Sequence, residues 1–324
     1  MIPARQAFDT VKGKTISKWP ERGESNRIEP ECWPVVTPKF KIKPGTSIFT
    51  IGSCFARNIE EYLVKLDFRI PTLDFSVPKT EWPYRPNGIL NKYTPPSVLY
   101  EIEWAARILR NGSVSDDDLV RPLIQLDTDG WVDVQLASNN PVTLARAKER
   151  RAELYRLFKE CFDADVVTIT LGLLECWWDS ETQEYIQQAP SPYLLRKYPE
   201  RFFYDVLDYP RCLDYMRKCI ELMTSVGKPD KKIIVTTSPV PMARSFSGKD
   251  VIVANAYSKS VLRAVAGQVA EDYANVDYFP SYECVVLTRD NSIWANDLIH
   301  LSDAFIGKIV NHLVKNYVQP VQSE

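Results

Sequence analysis

The sequence predicts an α/β protein in which a mostly parallel sheet lies between two layers of helices, a three-layer α/β/α sandwich. Short uncharged runs of β-branched and aromatic residues recur along the chain, as expected of strands buried on both faces. Segments with apolar residues at helical spacing separate these runs. Because strands that alternate with helices form parallel sheets covered on both sides, this order of elements predicts the fold class.

Four buried strands are predicted, and the first, which ends at Gly52, is followed at once by a helix. The strands are 47–52, 165–171, 232–237 and 276–278. Further helices are predicted at about 97–111, 142–161, 209–226, 251–272 and 303–316. The helix at 251–272 is expected to turn inward Tyr257, Val261, Leu262, Val265 and Val269.

Three segments lie outside this alternation. Residues 1–45 are rich in Pro, Lys and Glu and are predicted to form an extended arm before a domain at 46–318. Residues 70–96 and 176–207 are predicted to be irregular insertions, with several prolines in the first and many aromatic residues in the second. A short strand of a hairpin is predicted at 131–134.

The composition is that of an ordinary globular chain. Apolar residues make up 45% and charged residues 25%, with a formal charge of −2 and no basic block, so nucleic acid is not an expected partner. No run approaches the roughly 18 apolar residues of a membrane span, and the first residues lack a signal-peptide core, so a cytoplasmic location is expected. Seven scattered cysteines without a Cys-x-x-Cys pair predict reduced thiols and no metal site.

The candidate chemistry depends on two short motifs. Ser53 and Cys54 follow the first strand, where helix N–H groups would stabilise an oxyanion and lower a thiol pKa. A buried structural cysteine in a tight turn is an equally good interpretation. One of only two histidines, His300, follows Asp297 by three residues, so the carboxylate could orient the imidazole. The other, His312, is expected on a solvated helix face.

Other candidate residues also follow strand ends and are expected at the same edge of the sheet, where ligands of such folds bind. Gly172, Glu175 and Trp177 could line a substrate cleft, or they could form a helix start with packed tryptophans. Ser238 would form a cleft wall or only a turn, and Tyr282 follows the fourth strand. Gly88 and Asn91 could bind an oxyanion, although the Asn-Gly step before Asn91 favours a turn. The substrate-binding candidates are therefore Gly88, Asn91, Gly172, Glu175, Trp177, Ser238 and Tyr282.

Five ordered motifs resemble the GSCFA domain family, which is grouped with the SGNH (GDSL-like) hydrolases. They are Gly52-Ser-Cys-Phe-Ala56, Leu171-Gly-Leu-Leu-Glu-Cys-Trp177, Ser238-Pro-Val-Pro241, Phe279-Pro-Ser-Tyr-Glu283 and Asp297-Leu-Ile-His300. The resemblance runs from about residue 45 to 315. It implies an SGNH-like (flavodoxin-like) sandwich with the nucleophile in the first motif and Asp and His in the last.

The chain departs from the wider SGNH pattern at two places. That pattern has Gly-Asp-Ser where this chain has Gly52-Ser53-Cys54, so Cys54 occupies the nucleophile position and Ser53 that of the acid. We favour Cys54 as nucleophile and keep Ser53 as the alternative. The pattern Gly-x-Asn-Asp falls on residues 172–175, where the asparagine is absent, so Asn91 or backbone N–H groups would replace it.

The expected activity is ester hydrolysis or O-acyl transfer through an acyl-enzyme, with no bound cofactor. Cys54 would attack the acyl carbonyl, His300 would take its proton, and Asp297 would orient His300. The acceptor would be a small molecule or a glycan precursor, and a transferase would use an acyl donor such as acyl-CoA. Two alternatives stay open: a non-catalytic carbohydrate-binding module, and a scaffold or redox sensor with Cys54 as its reactive thiol.

Overall fold

The computed structural model describes residues 1–320, and a four-stranded sheet lies at its centre. The strands of the described residues are, in chain order, β1 (Ile48–Gly52), β2 (Leu123–Gln125), β3 (Trp131–Asp133), β4 (Val166–Leu171), β5 (Glu175–Asp179), β6 (Glu184–Ile186), β7 (Phe202–Val206), β8 (Lys232–Thr237) and β9 (Val276–Tyr278). The central sheet has the order β1-β4-β8-β9, with every neighbouring pair parallel. The four predicted strands are therefore confirmed, and their carboxyl ends share one edge.

Helices cover both faces of this sheet. In chain order they are α1 (Ala4–Val11), α2 (Cys54–Val64), α3 (Pro95–Asn111), α4 (Asp116–Val120), α5 (Leu144–Asp163), α6 (Pro192–Lys197), α7 (Tyr209–Ser225), α8 (Val251–Asp272), α9 (Ser281–Val286) and α10 (Asp303–Tyr317). Successive side chains of a strand point to opposite faces. Phe49 and Ile51 accordingly join the core beneath α3, α5, α7 and α8, whereas Ile48 joins the core beneath α2 and α10. The predicted α/β/α sandwich is confirmed.

Local sequence signals set the ends of the long helices. Helix α3 begins with two prolines after Thr94 and ends at Gly112, whose φ of 73° is a left-handed conformation that suits glycine. The side chain of Thr143 accepts a hydrogen bond from the N–H of Arg146 at the start of α5 (3.3 Å). Asp208 caps α7 in the same way, through the N–H of Arg211 (3.0 Å).

The second insertion was predicted wrongly as irregular. Residues 175–206 contain an antiparallel sheet in the order β6-β5-β7. Helix α6 lies in the loop between β6 and β7. The strands of this sheet carry acidic residues as well as aromatic ones. One of them, Asp179, is buried because Arg201 donates to both of its oxygens, at 2.7 and 2.6 Å. The predicted hairpin strand is confirmed, since β3 pairs with β2.

The amino-terminal arm is not extended throughout, because it includes the helix α1. Its last part packs on the domain, where the Ile42 N–H donates to the Tyr317 carbonyl (2.8 Å) and the Gln319 N–H donates to the Ile42 carbonyl (2.9 Å). In α8, Leu262, Val265 and Val269 are buried as predicted, but Tyr257 is 53% exposed, so its predicted inward orientation was wrong. Tyr257 precedes the buried Leu262 by five residues, about 140° around the helix axis, which places its ring on the solvent side.

Short 3-10 turns at Pro71–Leu73 and Pro86–Leu90 interrupt the otherwise irregular segment 70–96.

Within residues 1–320, no helix combines the length and the apolar character that a membrane crossing requires.

Candidate active site

The turn from β1 into α2 places Cys54 at the carboxyl edge of the sheet. Gly52 has a φ of 150°, a conformation that is nearly restricted to glycine. A Cβ atom at Gly52 would also lie 2.6 Å from the Cβ and the carbonyl oxygen of Thr170 on the neighbouring strand. Glycine therefore lets the chain turn tightly against β4, and Ser53 becomes the residue before the helix with Cys54 as its first residue.

Cys54 differs from the other cysteines in its surroundings. All seven are free thiols, and Cys54 alone is partly exposed, while the other six are buried. The pKa of the Cys54 thiol is nevertheless raised, because burial outweighs the other effects, so the predicted lowering was wrong. The charge of Lys259 and the backbone N–H groups of Cys54 and Phe55 act in the opposite direction. Because these N–H groups belong to the first turn of α2, they lack partners within the helix and can stabilise negative charge on sulfur or on a bound oxyanion.

Ser53 is a less accessible nucleophile than its neighbour. Its side chain is buried, and its hydroxyl donates to the hydroxyl of Ser238, which follows β8, at 3.2 Å. The Ser238 N–H in turn donates to the carbonyl of Leu171 at the end of β4 (2.8 Å). The prediction that β1, β4 and β8 end at one edge is therefore confirmed. The hydrogen bonds of Ser53 and Ser238 connect these three strand ends.

The segment 91–94 crosses this edge above β1 and β4. The Lys92 N–H donates to the carbonyl of Gly52 (2.8 Å), and the Tyr93 carbonyl accepts from the N–H groups of Gly172 (3.2 Å) and Leu173 (2.7 Å). A Cβ atom at Gly172 would lie 2.8 Å from the Tyr93 carbonyl oxygen, so glycine permits this close approach. Gly172 therefore has a structural role at the edge.

The two residues expected to bind an oxyanion differ in their free hydrogen-bonding groups. The Gly88 N–H already donates to the Arg85 carbonyl (2.9 Å), so an oxyanion would compete with that bond. The Asn91 amide donates to the Tyr93 hydroxyl (3.2 Å), while its buried Oδ1 has no partner among the described residues. Burial raises the pKa of Tyr93, and the charge of Cys54 raises it further. The Asn91 side chain therefore contacts a residue whose pKa responds to Cys54.

Asp297 and His300 form the pair that the sequence predicted. The two atoms His300 Nδ1 and Asp297 Oδ2 are 2.6 Å apart, and Asp297 Oδ1 accepts from the N–H groups of Ile299 and His300, each at 2.9 Å. The hydrogen bonds from His300 and Ile299 hold the pKa of Asp297 well below its usual range. Because Nδ1 contacts the carboxylate, Nε2 is left to exchange a proton with another molecule.

The predicted approach of His300 to Cys54 is not present as a direct contact. The His300 side chain is 54% exposed, and within residues 1–320 no hydrogen bond joins it to Cys54. His312 was wrongly expected to be solvated. It is half-buried, Nε2 donates to the Pro34 carbonyl (3.0 Å), and the ring packs near Trp33 and Phe279. Burial lowers the pKa of His312, which suits a structural role.

Lys259, a buried lysine on the sheet-facing side of α8, was not among the predicted site residues. Its ammonium group donates to the carbonyl of Gly172 (2.8 Å). Burial lowers the pKa of Lys259 to about 7, and Cys54 acts on it in the opposite direction. Its spacing in the sequence could have predicted this burial, because Lys259 precedes the buried Leu262 by three residues and Ala266 by seven.

Aromatic side chains line a cavity of about 170 Å³ beside Tyr93. Trp177 lies between Phe246 and Tyr204, with ring centroids 4.9 and 5.3 Å away. Glu175 fixes the Phe246 loop, since its carboxylate accepts from the Ser245 hydroxyl (2.5 Å) and the Phe246 N–H (2.9 Å). A second cavity of about 400 Å³ also borders Glu175.

Tyr282 lies apart from these cavity walls, in the short helix α9 next to the buried Ser281. Burial raises the pKa of its phenol.

The comparison with known families agrees with the motifs on which this site is built. The model of the GSCFA family matches residues 47–313, which include Cys54, Gly172, Lys259 and His300. No curated protein is detectably similar in sequence. Because the match spans most of the chain, the protein belongs to the GSCFA family.

Proposed function

We propose that the protein is an ester hydrolase or O-acyltransferase of the SGNH type that forms an acyl-enzyme on Cys54. The observation that carries the proposal is the environment of this thiol. Cys54 alone among seven cysteines is partly exposed, and it lies at a helix N-terminus on the carboxyl edge of a parallel sheet. Both features favour a nucleophile over a structural cysteine.

The chemical steps follow from the groups around the sulfur. The Cys54 thiolate attacks the acyl carbonyl carbon, and the oxyanion accepts hydrogen bonds from the first N–H groups of α2 and from the Asn91 amide. Collapse of the tetrahedral adduct breaks the bond to the leaving group, which takes up the proton that the Cys54 thiol gave up, and leaves a thioester on Cys54. His300 Nε2, with Asp297 on the other ring nitrogen, then removes the proton of water or of an acceptor hydroxyl as it attacks the thioester.

The aromatic cavity supports a sugar-like acceptor. Trp177 and Phe246 present ring faces and edges, and Arg244 and Glu175 add charged groups to the same cavity. Rings of this kind combine apolar contact area with nearby polar groups, which suits carbohydrate hydroxyls. We therefore propose a glycan or glycan precursor as acceptor, with a thioester such as acyl-CoA as donor in the transferase case.

The test is incubation with a panel of p-nitrophenyl esters and acyl thioesters, followed by intact-mass measurement and peptide mapping. We expect an acyl adduct on Cys54 that accumulates in His300→Ala, because deacylation is slowed more than acylation. Cys54→Ala should form no adduct and should lose at least about 10³-fold in turnover, as expected for removal of a covalent nucleophile. The buried Cys219 supplies the matched control, Cys219→Ala. Full turnover in both Cys54→Ala and His300→Ala would refute the proposal.

A separate prediction distinguishes the two adjacent nucleophile candidates. Ser53→Ala should retain turnover within a few-fold, because the Ser53 hydroxyl is buried against Ser238. Loss of that hydrogen bond should lower the free energy of unfolding by about 1 kcal/mol, measured by urea denaturation. If Ser53→Ala remains folded but loses turnover and the acyl adduct, while Cys54→Ala retains both, the nucleophile is Ser53.

A non-catalytic carbohydrate-binding module is the second candidate function. The cluster of Trp177, Tyr204 and Phe246 and the exposed position of His300 favour it. This role requires saturable glycan binding that is lost in Trp177→Ala, together with no turnover of any donor and no dependence on Cys54.

A further inference from the structure

We propose that Lys259 is the general base of Cys54 and accepts the thiol proton as the sulfur attacks the acyl donor. This inference deepens the proposed function, because it names the group that activates its nucleophile. It assigns the first proton transfer to Lys259 and leaves His300 with the acceptor.

The three fully buried lysines differ in the number of hydrogen-bond acceptors around their amino groups. Lys92 contacts the carboxylate of Glu101 (2.6 Å) and the carbonyl of Gln135. Lys231 donates to three carbonyl groups, those of Cys161, Phe162 and Ala164. Both therefore use most of the donors of an ammonium group. Lys259 has one acceptor, the carbonyl of Gly172, and no carboxylate partner within residues 1–320.

Such surroundings suit a neutral amine better than a lone ammonium ion. A buried ammonium group with one acceptor leaves two N–H groups without partners, which is costly. A neutral amine can donate to Gly172 and still present a lone pair to an acid. The lowered pKa of Lys259, about 7, has burial as its cause and agrees with this interpretation.

Its hydrogen bond to Gly172 places Lys259 at the same edge of the sheet as Cys54. Each of the two groups affects the pKa of the other, and Lys259 is the charge that acts most strongly on Cys54. Gly172, which holds the amine, follows β4, the strand that pairs with β1 directly before Cys54. Within residues 1–320 the two side chains share no direct hydrogen bond. The proposed transfer therefore requires a rotation of the lysine side chain or a bridging water.

The proton balance is complete without another reactant. As Cys54 Sγ forms the bond to the acyl carbon, the thiol proton passes to Lys259 Nζ, where it forms the third N–H bond of an ammonium ion. As the carbonyl re-forms, the bond to the leaving group breaks, and that group takes the proton from Nζ. Lys259 is then neutral again, with its hydrogen bond to Gly172 retained.

The test measures the reactivity of the thiol rather than turnover. Iodoacetamide alkylation of Cys54 is followed by mass spectrometry from pH 6 to pH 10 in the parent, Lys259→Met and Lys259→Gln. The control is Lys228→Met, which removes a surface lysine paired with Asp165 at the opposite end of the sheet. Thermal unfolding checks that each variant is folded.

In the parent, reactivity should rise near neutral pH, where Lys259 becomes neutral and can accept the thiol proton. In both Lys259 variants that rise should disappear, and a single rise should remain at the high pKa of a buried thiol. Alkylation at pH 8 should then be at least about tenfold slower, which corresponds to a shift of one pKa unit. Lys228→Met should match the parent.

The two proposals fail in different ways. Parent-like alkylation profiles in both folded Lys259 variants would overturn the pairing with Lys259, whatever the turnover. Slowed alkylation in these variants supports it, even if no donor acylates Cys54, and in that case the acyl-enzyme proposal alone fails.

Discussion

Glu101→Leu is expected to lower the free energy of unfolding by about 3–5 kcal/mol, as is typical when one partner of a buried ion pair is removed. Glu101 is fully buried, and its two carboxylate oxygens contact the ammonium group of Lys92 (2.6 Å) and the guanidinium of Arg151 (2.8 Å). Arg151 also contacts Asp133, so two cations and two anions balance within this network. Leucine would leave the two cations with one anion in a dry interior.

The matched control lies on the same helix. Glu103 is exposed, and Glu103→Leu should change stability by no more than about 0.5 kcal/mol. The double variant Lys92→Met/Glu101→Leu should recover part of the loss, because it leaves the balanced pair of Arg151 and Asp133. Urea denaturation measures all three variants. A loss below about 1 kcal/mol for Glu101→Leu would show that the network is not electrostatically important.

The same variant should respond to pH in a defined direction. Burial acts to raise the pKa of Glu101, but the charges of Arg151 and Lys92 outweigh it, and the pKa is lowered. The stability that Glu101 contributes is therefore present above its unfolded-state pKa and is lost as the pH falls through the lower folded-state value. The difference between the parent and Glu101→Leu should shrink in acid.

Lys259→Met is expected to raise the free energy of unfolding near pH 7 by about 4 kcal/mol. The folded-state pKa of Lys259 is about 7, and that of an exposed lysine in the unfolded chain is near ~10.4. Folding therefore releases a proton between these two pH values, so stability rises with pH across that window. The cost of the buried lysine is fully present below about pH 7 and disappears above about pH 10.5. Methionine has nearly the same shape and does not have this cost.

The pH dependence separates this electrostatic cost from packing. The stability difference between Lys259→Met and the parent should fall by about 3 kcal/mol between pH 7 and pH 10, since the parent loses its penalty over that range. Lys228→Met provides the control, with a small difference that does not follow this course. If the difference between Lys259→Met and the parent is constant from pH 7 to pH 10, Lys259 has an ordinary pKa.

The central sheet could be predicted because its strands have uncharged runs. Residues 166–171 and 232–237 are buried almost without exception and match the predicted bounds closely. The small sheet of β5, β6 and β7 could not be predicted in this way, because its strands are partly exposed and contain acidic residues. Only the folded chain shows that Arg201 neutralises Asp179 and lets it lie inside.

The candidate site was predictable where its motifs are local. Cys54 beside a strand end and Asp297 beside His300 are each defined by a few consecutive residues. The partners of a buried charge are not local. Lys92, Lys231 and Lys259 look alike in the sequence, and only their surroundings distinguish two satisfied ammonium groups from one with a single acceptor.

The contact between Ile42 and the segment after α10 has a consequence for protein engineering. The two ends of the domain meet as neighbouring backbone segments, joined by the hydrogen bonds of Ile42 with Tyr317 and Gln319. They meet near Asp165 and Lys232, where two central strands begin, whereas Cys54 follows the end of a strand. A short linker could therefore connect the ends for circular permutation or for insertion into a host loop, with the thiol facing away from the junction.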